Sequence, residues 1–259
     1  MSIIEVEDLS FGYESDRKVL DGISFTIDDR SFVCIVGPNG VGKSTLIRCM
    51  NGLIKPTSGS VKVMGRNVEE YDLKELAKIM SYVPVMSKDF NVLTVLDTVL
   101  IGRYAHQKWK TTSEDLDIAY KALEAMEIDH LAMRNFNELS AGQHQKVSLA
   151  RGLVQEPKIL VLDEPTSNLD VRHQMYVSAF LKILVRKTET TVVMVSHDLN
   201  LSAKFADRIV VMEPPGKIYG MGEPKDVVTK EMLRKVYNVE SNIIDDNGSP
   251  HVVLQSVLF

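Results

Sequence analysis

The sequence has 259 residues, of which 44% are hydrophobic and 25% charged, as in a folded protein with a sizeable core. Its formal net charge of −5 argues against a nucleic-acid binder, since such proteins usually carry a basic balance. It contains neither a signal-peptide pattern nor an apolar run near the ~20 residues of a membrane-spanning helix. Cys34 and Cys49 lack zinc-ligand spacing and are expected to be buried thiols in a reducing compartment. The chain is therefore expected to be cytoplasmic, and any membrane role to run through a partner.

The first predicted elements are strands. Two alternating segments, IIEVEDL and KVLDGISFTID, are separated by turn residues, which indicates antiparallel pairing. The apolar run at 31–36 predicts a strand buried on both faces. A glycine-rich loop and a helix near 43–51 follow it, and Gly52 is placed to end that helix. The segment GSVKVMG predicts another short strand.

From about residue 72 to 155 the pattern becomes helical. The predicted helices cover 72–80, a segment capped by Thr94, 113–126, and a segment that begins at Ser140. KILVLD and TTVVMVSH then predict two buried strands with a helix at about 171–187 between them, which indicates parallel α/β architecture. A helix around 225–237 and a hairpin at the turn DDNG complete the prediction.

The segment GPNGVGKST, residues 37–45, fits the phosphate-loop pattern G-x-x-x-x-G-K-[ST] between a buried strand and a helix. Its glycines let backbone N–H groups approach phosphate oxygens, Lys43 reaches the β- and γ-phosphates, and Ser44 can ligate Mg²⁺. The alternative is a glycine-rich turn that merely precedes a helix. Because the guanine-reading pattern N-K-x-D does not occur in the sequence, ATP is the expected nucleotide. The expected binding residues are Gly37, Pro38, Asn39, Gly40, Val41, Gly42, Lys43, Ser44 and Thr45.

Two acids follow the apolar strand ILVL. At the carboxyl end of that strand, Asp163 can face the phosphate loop and hold Mg²⁺ through water. Glu164 should point elsewhere because side chains alternate along a strand, and it is the candidate general base for the attacking water. His197 ends the next buried strand and is expected to contact the γ-phosphate; the alternative is a helix-capping neighbourhood around Ser196 and Asp198.

The segment NELSAGQHQKVSLARG predicts a second helix start suited to anions. Ser140 can cap the helix and Gln143 can reach back to it, as in a capping box. Ala141 and Gly142 are small, so the N-terminus is sterically open, and helix N-termini bind anions. Taken alone, this pattern is also that of a purely structural capping box.

Together these residues resemble the ATP-binding cassette (ABC) ATPases, and the resemblance covers nearly the whole chain. Its elements stand in the order SFGYES, the loop 37–45, LSAGQ, ILVLDEP, SNLD and SHD. The resemblance implies that Tyr13 stacks on adenine, although an edge-strand tyrosine is the alternative. It also implies that Ser140, Ala141, Gly142 and Gln143 of one subunit meet the γ-phosphate of ATP on another, and that Asp170 packs across the dimer. A homodimer with ATP and Mg²⁺ as cofactors is therefore expected.

The predicted fold class is α/β, with a P-loop nucleotide-binding core on a parallel sheet, an antiparallel β subdomain and a helical subdomain. The expected organisation is a single ABC ATPase domain over 1–259. Its core covers about 1–84 and 156–240, its helical subdomain about 85–155, and its C-terminal tail 241–259.

Within the family, the sequence is most similar to ATPase subunits of importers for siderophores, haem and cobalamin, chiefly through TVLDTVLIGRYAH. This resemblance implies separate permease subunits, an indirect link to a substrate-binding protein, and a peripheral position on the inner face of the membrane. A non-transport ATPase of DNA repair or translation is one alternative. Too few residues separate Lys43 from Ser140 for the long coiled coil of repair members. A nucleotide-binding structural subunit is the other alternative; Glu164 and His197 argue against it, whereas Val85 argues for it.

One position departs from the family pattern. The segment SYVPVMSKDF has Val85 where relatives usually carry a glutamine whose amide oxygen ligates Mg²⁺ and helps to place the attacking water. Valine has no oxygen to offer, so slow hydrolysis is expected. In the same region, Met86, Phe90 and Tyr104 are expected to meet the permease; local core packing is the alternative.

Overall fold

A computed structural model describes residues 1–14, 17–85, 93–106, 110–167 and 169–258 of the chain. Two units are distinguished, one formed by Met1–Tyr71 with Ser178–Phe259 and the other by Asp72–Val177. The strands are β1 (Ser2–Glu14), β2 (Arg17–Asp28), β3 (Phe32–Val36), β4 (Ser58–Val63), β5 (Arg66–Asn67), β6 (Met80–Val83), β7 (Ile159–Asp163), β8 (Thr191–Val195), β9 (Arg208–Glu213), β10 (Lys217–Gly222), β11 (Val239–Asp246) and β12 (Ser249–Val257). The α-helices are α1 (Lys43–Met50), α2 (Leu73–Ile79), α3 (Val95–Leu100), α4 (Ser113–Ala125), α5 (Ala141–Leu153), α6 (Val171–Lys187), α7 (Leu199–Phe205), α8 (Pro224–Val227) and α9 (Lys230–Tyr237).

An antiparallel sheet in the first unit has the strand order β2-β1-β4-β5. Ile4 of β1 lies opposite Ile27 of β2 and Val63 of β4, and all three side chains are buried. Charged residues such as Glu5 and Glu7 alternate with these apolar positions, as expected when one face of a sheet packs and the other is solvated. The antiparallel pairing predicted from the alternating sequence is confirmed.

A second sheet of the first unit contains β10, β9, β3 and β8 in that order. Strand β3 runs parallel to both β8 and β9, and every residue of β3 and β8 is buried. This burial explains their continuous apolar sequences. The backbone N–H of Ser196 donates to the carbonyl of Ile35 at 3.1 Å, so the loops after β3 and β8 leave from the same edge of the sheet.

The C-terminal region differs from the prediction in one respect. The single helix expected around 225–237 is two helices, α8 and α9. Pro224 occupies the first turn of α8, and Thr229 begins α9 by accepting a hydrogen bond from the Met232 amide, so the chain restarts the helix instead of continuing it. The expected hairpin at DDNG is confirmed, since β11 and β12 pair antiparallel around it.

The second unit combines a parallel strand pair with the α-helices α2 to α5 and the first part of α6. Strands β6 and β7 pair in parallel, and α5 packs against β6, α3 and α4. The predicted helices are confirmed, with a cap at Thr94 for α3 and at Thr112 for α4, which begins at Ser113 as predicted. The sequence-based limits of the helical subdomain, 85–155, stay a prediction. In the part of the chain that the structure describes, every helix is too short or too polar to cross a membrane.

A buried ion pair links three segments of the second unit. Arg103 lies in the short 3-10 helix Ile101–Ala105 and is 6% exposed. Its guanidinium donates to Asp115 at 2.8 Å, to the carbonyl of Val154 at 2.8 Å and to Glu156 at 2.7 Å. Since a buried charge must be paired, this arrangement ties the 3-10 helix to the start of α4 and the end of α5.

The carboxylate of Asp115 is stabilised in its charged form. The Thr112 backbone amide and then the Arg103 guanidinium lower the pKa of Asp115 to about 2. A carboxyl whose pKa is lower in the folded state contributes stability above its unfolded pKa of about 3.9, and loses that contribution as the pH falls towards the folded value.

We therefore expect Asp115→Asn to lower the free energy of unfolding at pH 7 by about 2 kcal/mol, the scale of hydrogen bonds to a charged group. The difference from the parent should shrink as the pH falls from about 4 towards 2, because the parent then loses the same charge. Urea titrations at several pH values measure it. Asp117→Asn, on the exposed side of the same helix, is the matched control. A difference that does not change with pH would contradict the role of this carboxylate.

Candidate functional site

The phosphate loop of the first unit connects β3 to α1. Gly42 has a φ of 106°, and a Cβ added there would lie 2.9 Å from the Val19 carbonyl oxygen, so a larger residue would be strained and crowded. Lys43 is 5% exposed, and its ammonium donates to the carbonyls of Gly37 at 2.8 Å and Pro38 at 3.0 Å. Within the described residues, no side chain caps the start of α1. Its amide groups and dipole therefore form an anion-binding helix start.

Tyr13 lies beside this loop, at the end of β1. Its ring is 62% exposed and stands edge-on to Phe11, with ring centroids 4.9 Å apart. Its hydroxyl is 3.4 Å from Oγ1 of Thr45, the residue after Ser44 in α1. A cleft of about 380 Å³, the Tyr13 cleft, is lined by Tyr13, Glu14, Lys18, Val19, residues 39–41 and residues 214–216. The structure thus brings Tyr13 together with residues 39–41 of the phosphate loop, and its stacking on adenine stays a prediction.

His197 follows β8 in the first unit and is exposed. It stands between Ser196, whose amide bonds to the end of β3, and Asp198, whose carboxylate accepts from the Leu201 amide and caps α7. A phosphate contact by His197 and a capping role for its neighbours are therefore compatible. Asp198 caps α7, whereas His197 lies at the edge of the sheet where the phosphate loop begins.

The two acids of ILVLDEP lie in the second unit and differ in backbone conformation. Asp163 ends β7 and is 1% exposed, and the Tyr82 hydroxyl of β6 donates to its carboxylate at 3.4 Å. Glu164 has a φ of 50°, left-handed for a residue that is not glycine, and its carbonyl accepts from the amide and hydroxyl of Ser167. This turn, and not the alternation of a continuing strand, sets the direction of Glu164. Such a conformation costs about 1–3 kcal/mol and is typical of functional sites.

The second predicted anion site is a capped helix start in the same unit. The Gln143 amide donates to the Ser140 hydroxyl at 3.3 Å, and the Ser140 amide donates to the Gln143 side chain at 2.9 Å. The predicted capping box at α5 is confirmed. Ala141 is exposed at the first turn, so the helix start is sterically open, as its sequence suggested.

A pocket of about 430 Å³, the Ser140 pocket, opens beside this helix start. It is lined by Glu127, Ile128, His130, Ser140, Gly142, Gln143, Lys146, Leu169, Asp170 and His173. The structure thus brings Asp170 together with Ser140, Gly142 and Gln143 of the segment LSAGQ. Asp170 accepts hydrogen bonds from the amide and the ring of His173, and these bonds lower the pKa of the carboxyl.

Sequence reasoning did not single out Lys146 or His173. Lys146 is 6% exposed, lies 3.9 Å from the carboxylate of Glu127, and has a pKa lowered chiefly by burial. In the sequence it is one of many lysines on a helix. Its position three residues after Gln143 on α5 was the available signal, because residues three apart share a helix face.

The segment expected to meet a permease is described in part. Val85 is 43% exposed just beyond β6, whereas Met86 and Phe90 lie outside the described residues. Tyr104 is 74% exposed on the 3-10 helix that Arg103 holds in place, and the ammonium of Lys74 lies 5.8 Å from its ring centroid.

Cys34 and Cys49 are both buried free thiols, as expected.

Comparison with known proteins gives a consistent result. The profile of the family described as ABC transporter matches residues 20–167. An uncharacterised ABC transporter ATP-binding protein of Methanocaldococcus jannaschii is 38% identical over 253 residues, or 98% of each chain. The ferric enterobactin transport ATP-binding protein FepC of Escherichia coli K12 is 37% identical, over 95% of this chain and 92% of that protein.

A solved structure of a metal-chelate type ABC transporter in an inward-facing conformation is also similar. The TM-score is 0.84 at 28% identity, and the alignment covers 99% of this chain and 98% of that chain. The predicted α/β class, with its P-loop core, antiparallel β subdomain and helical subdomain, is confirmed as the cassette fold of ABC ATPases.

Proposed function

Because this chain belongs to the ABC transporter family, we propose that it is the ATP-hydrolysing subunit of an importer for a metal chelate or a related small ligand. The names of the ferric enterobactin relative and of the metal-chelate type transporter support the class of cargo. The observation that carries the proposal is the phosphate loop, where a buried Lys43 and the start of α1 meet beside the Tyr13 cleft.

The residues present fit the binding of ATP with Mg²⁺. Mg²⁺ prefers oxygen ligands and is held through few side chains plus phosphates and water. We propose that the Ser44 hydroxyl and the buried Asp163 carboxylate supply these oxygens, with the Tyr82 hydroxyl orienting Asp163. The ion would neutralise charge on the phosphates. Lys43 and the other residues of 37–45 would hold the phosphate chain, while Tyr13 stacks on adenine.

For hydrolysis, we assign Glu164 as the general base and His197 as the contact to the γ-phosphate. A general base must reach the attacking water at hydrogen-bond distance, and the left-handed backbone of Glu164 places this residue in a turn just after β7 and not in the strand itself. The exposed position of His197 at the end of β8 supports a contact with a bound phosphate on the edge of the first unit.

We further propose that two copies enclose ATP. The open helix start at Ser140, with Ala141, Gly142 and Gln143, would meet the γ-phosphate held by the phosphate loop of the other copy. Asp170 lines the same pocket and would pack across the dimer.

A permease would bind the segment that carries Tyr104. It would link the chain to a substrate-binding protein and hold the chain at the inner face of the membrane. No nucleic-acid partner is expected.

Glu164→Gln tests the catalytic assignment. The amide keeps the shape of the carboxylate but cannot accept a proton, so hydrolysis should fall by about a hundredfold or more while ATP binding persists. Trapped ATP should then hold two copies together, which light scattering of the eluting protein measures. Glu114→Gln, on an exposed part of α4, is the control. Hydrolysis at the parent rate would show that Glu164 has another role.

Val85→Gln tests the departure from the family pattern. The new amide oxygen should help to hold Mg²⁺ and the attacking water, so kcat should rise about fivefold while the ATP dissociation constant stays within about twofold. Val85→Leu, which adds no oxygen, should leave both constants unchanged. Equal kcat values for the parent and Val85→Gln would mean that position 85 does not limit turnover.

Charged substitutions test the permease surface. Met86→Glu, Phe90→Glu and Tyr104→Glu should abolish transport and permease-stimulated hydrolysis in proteoliposomes that contain the partner permease, because a buried unpaired charge destabilises an apolar contact. Basal hydrolysis should persist, and Tyr120→Glu on α4 should resemble the parent. Loss of folding in both the Met86→Glu and Phe90→Glu variants would instead favour local core packing of these two residues.

A further inference from the structure

One wall of the Tyr13 cleft comes from the far end of the sequence. Residues 214–216 form the turn between β9 and β10, where Lys217 pairs with Glu213. Gly216 closes the turn with a φ of +84°, as the last residue of a three-residue hairpin loop often does. Pro214, Pro215 and Gly216 all line the cleft, together with Tyr13 and the phosphate-loop residues 39–41.

This turn is held against β2 by backbone contacts. A Cβ added at Gly216 would lie 1.9 Å from the Val19 carbonyl oxygen, so only glycine permits the approach. The Asp21 amide donates to the Gly216 carbonyl at 3.1 Å. The Asp21 carboxylate binds Lys18 at 2.6 Å and Lys217 at 3.3 Å, which ties β10 to β2 a second time. The position of the turn is therefore fixed relative to the cleft.

The cleft offers apolar and polar surface in about equal parts, which suits a planar heterocyclic group with polar edges. The aromatic ring of Tyr13, the side chain of Val19 and the proline rings offer apolar surface, while the charged Glu14 and Lys18 are exposed. A phosphate chain held by 37–45 would place the remainder of its nucleotide next to residues 39–41, which belong to both sites.

We propose that the turn 214–216 is the second wall of the subsite for the nucleotide base, and that Gly216 and Asp21 are positioning residues for that wall. The inference rests on the proposed function, in which the phosphate loop holds ATP. It adds that residues beyond β9, and not Tyr13 alone, set the affinity for the base. The affinity for the phosphate chain does not depend on this turn.

Gly216→Ala tests the wall, with inorganic tripolyphosphate as a ligand that lacks the base. The methyl group must push the turn away from Val19, so the dissociation constant of ATP with Mg²⁺ should rise by about fivefold or more, while that of tripolyphosphate stays within about twofold. Calorimetric titration measures both. Gly248→Ala is a matched control, because Gly248 has a φ of +86° and no heavy atom among the described residues within 4 Å of an added Cβ.

Pro214→Ala keeps the test decisive if Gly216→Ala does not fold. It truncates a lining side chain without a backbone clash. The dissociation constant of ATP should rise by about threefold, and that of tripolyphosphate should stay unchanged. ATP affinity equal to the parent in the folded variants would overturn the inference while leaving the proposed function intact. Equal weakening of both ligands would also overturn it, since the turn would then act on the phosphate loop. A parent that binds neither ligand would instead refute the proposed function.

Discussion

The carboxyl end of β3 is the constraint on which the first unit depends. Strand β3 lies between two parallel neighbours and is wholly buried, so its register cannot slip without exposing apolar side chains or burying polar ones. The positions of three features are therefore fixed at the carboxyl edge of this sheet. They are the start of the phosphate loop, the segment at His197 and the end of β9 that packs on the loop. A Cβ at Gly37 would lie 2.6 Å from the Met212 carbonyl oxygen, which shows how closely β9 packs on the loop.

The C-terminal segment adds a contact to the same loop. Burial raises the pKa of the Tyr237 hydroxyl at the end of α9, and a hydrogen bond with the Gly37 backbone partly offsets that rise. The loop is thus bounded by β9, by α9 and, through Gly42, by β2. Such packing holds a backbone in conformations that would be costly in a free chain. The residues that shape the loop are consequently distributed over much of the sequence, although those that touch phosphate form one short motif.

This distribution explains which parts of the fold and of the site could be predicted from the sequence. The strands, most helices, the phosphate loop and the capping box at Ser140 follow from local patterns, and local patterns are visible in one sequence. The Ser140 pocket is different, because Lys146, His173 and Glu127 converge only after the chain has folded. The left-handed turn at Glu164 was equally hidden, since no glycine marks it. Thr229, a residue type that favours helix starts, was a signal for the break between α8 and α9. The helical periodicity on both sides of it nevertheless predicted one continuous helix.

The two predicted anion sites differ in how much they depend on a ligand. At α5, Ser140 and Gln143 satisfy each other's amide groups, so part of this helix start is satisfied without a ligand, and the helix dipole adds about 0.3–1 kcal/mol for an anion there. At α1, within the described residues, no side chain performs this task, and the Lys43 ammonium is bonded to loop carbonyls. An anion there gains the amide groups and the lysine together. Binding to the folded state stabilises it by an amount that grows with the logarithm of the ligand concentration over the dissociation constant, so ATP should stabilise the first unit more through the phosphate loop than through a helix start like that of α5.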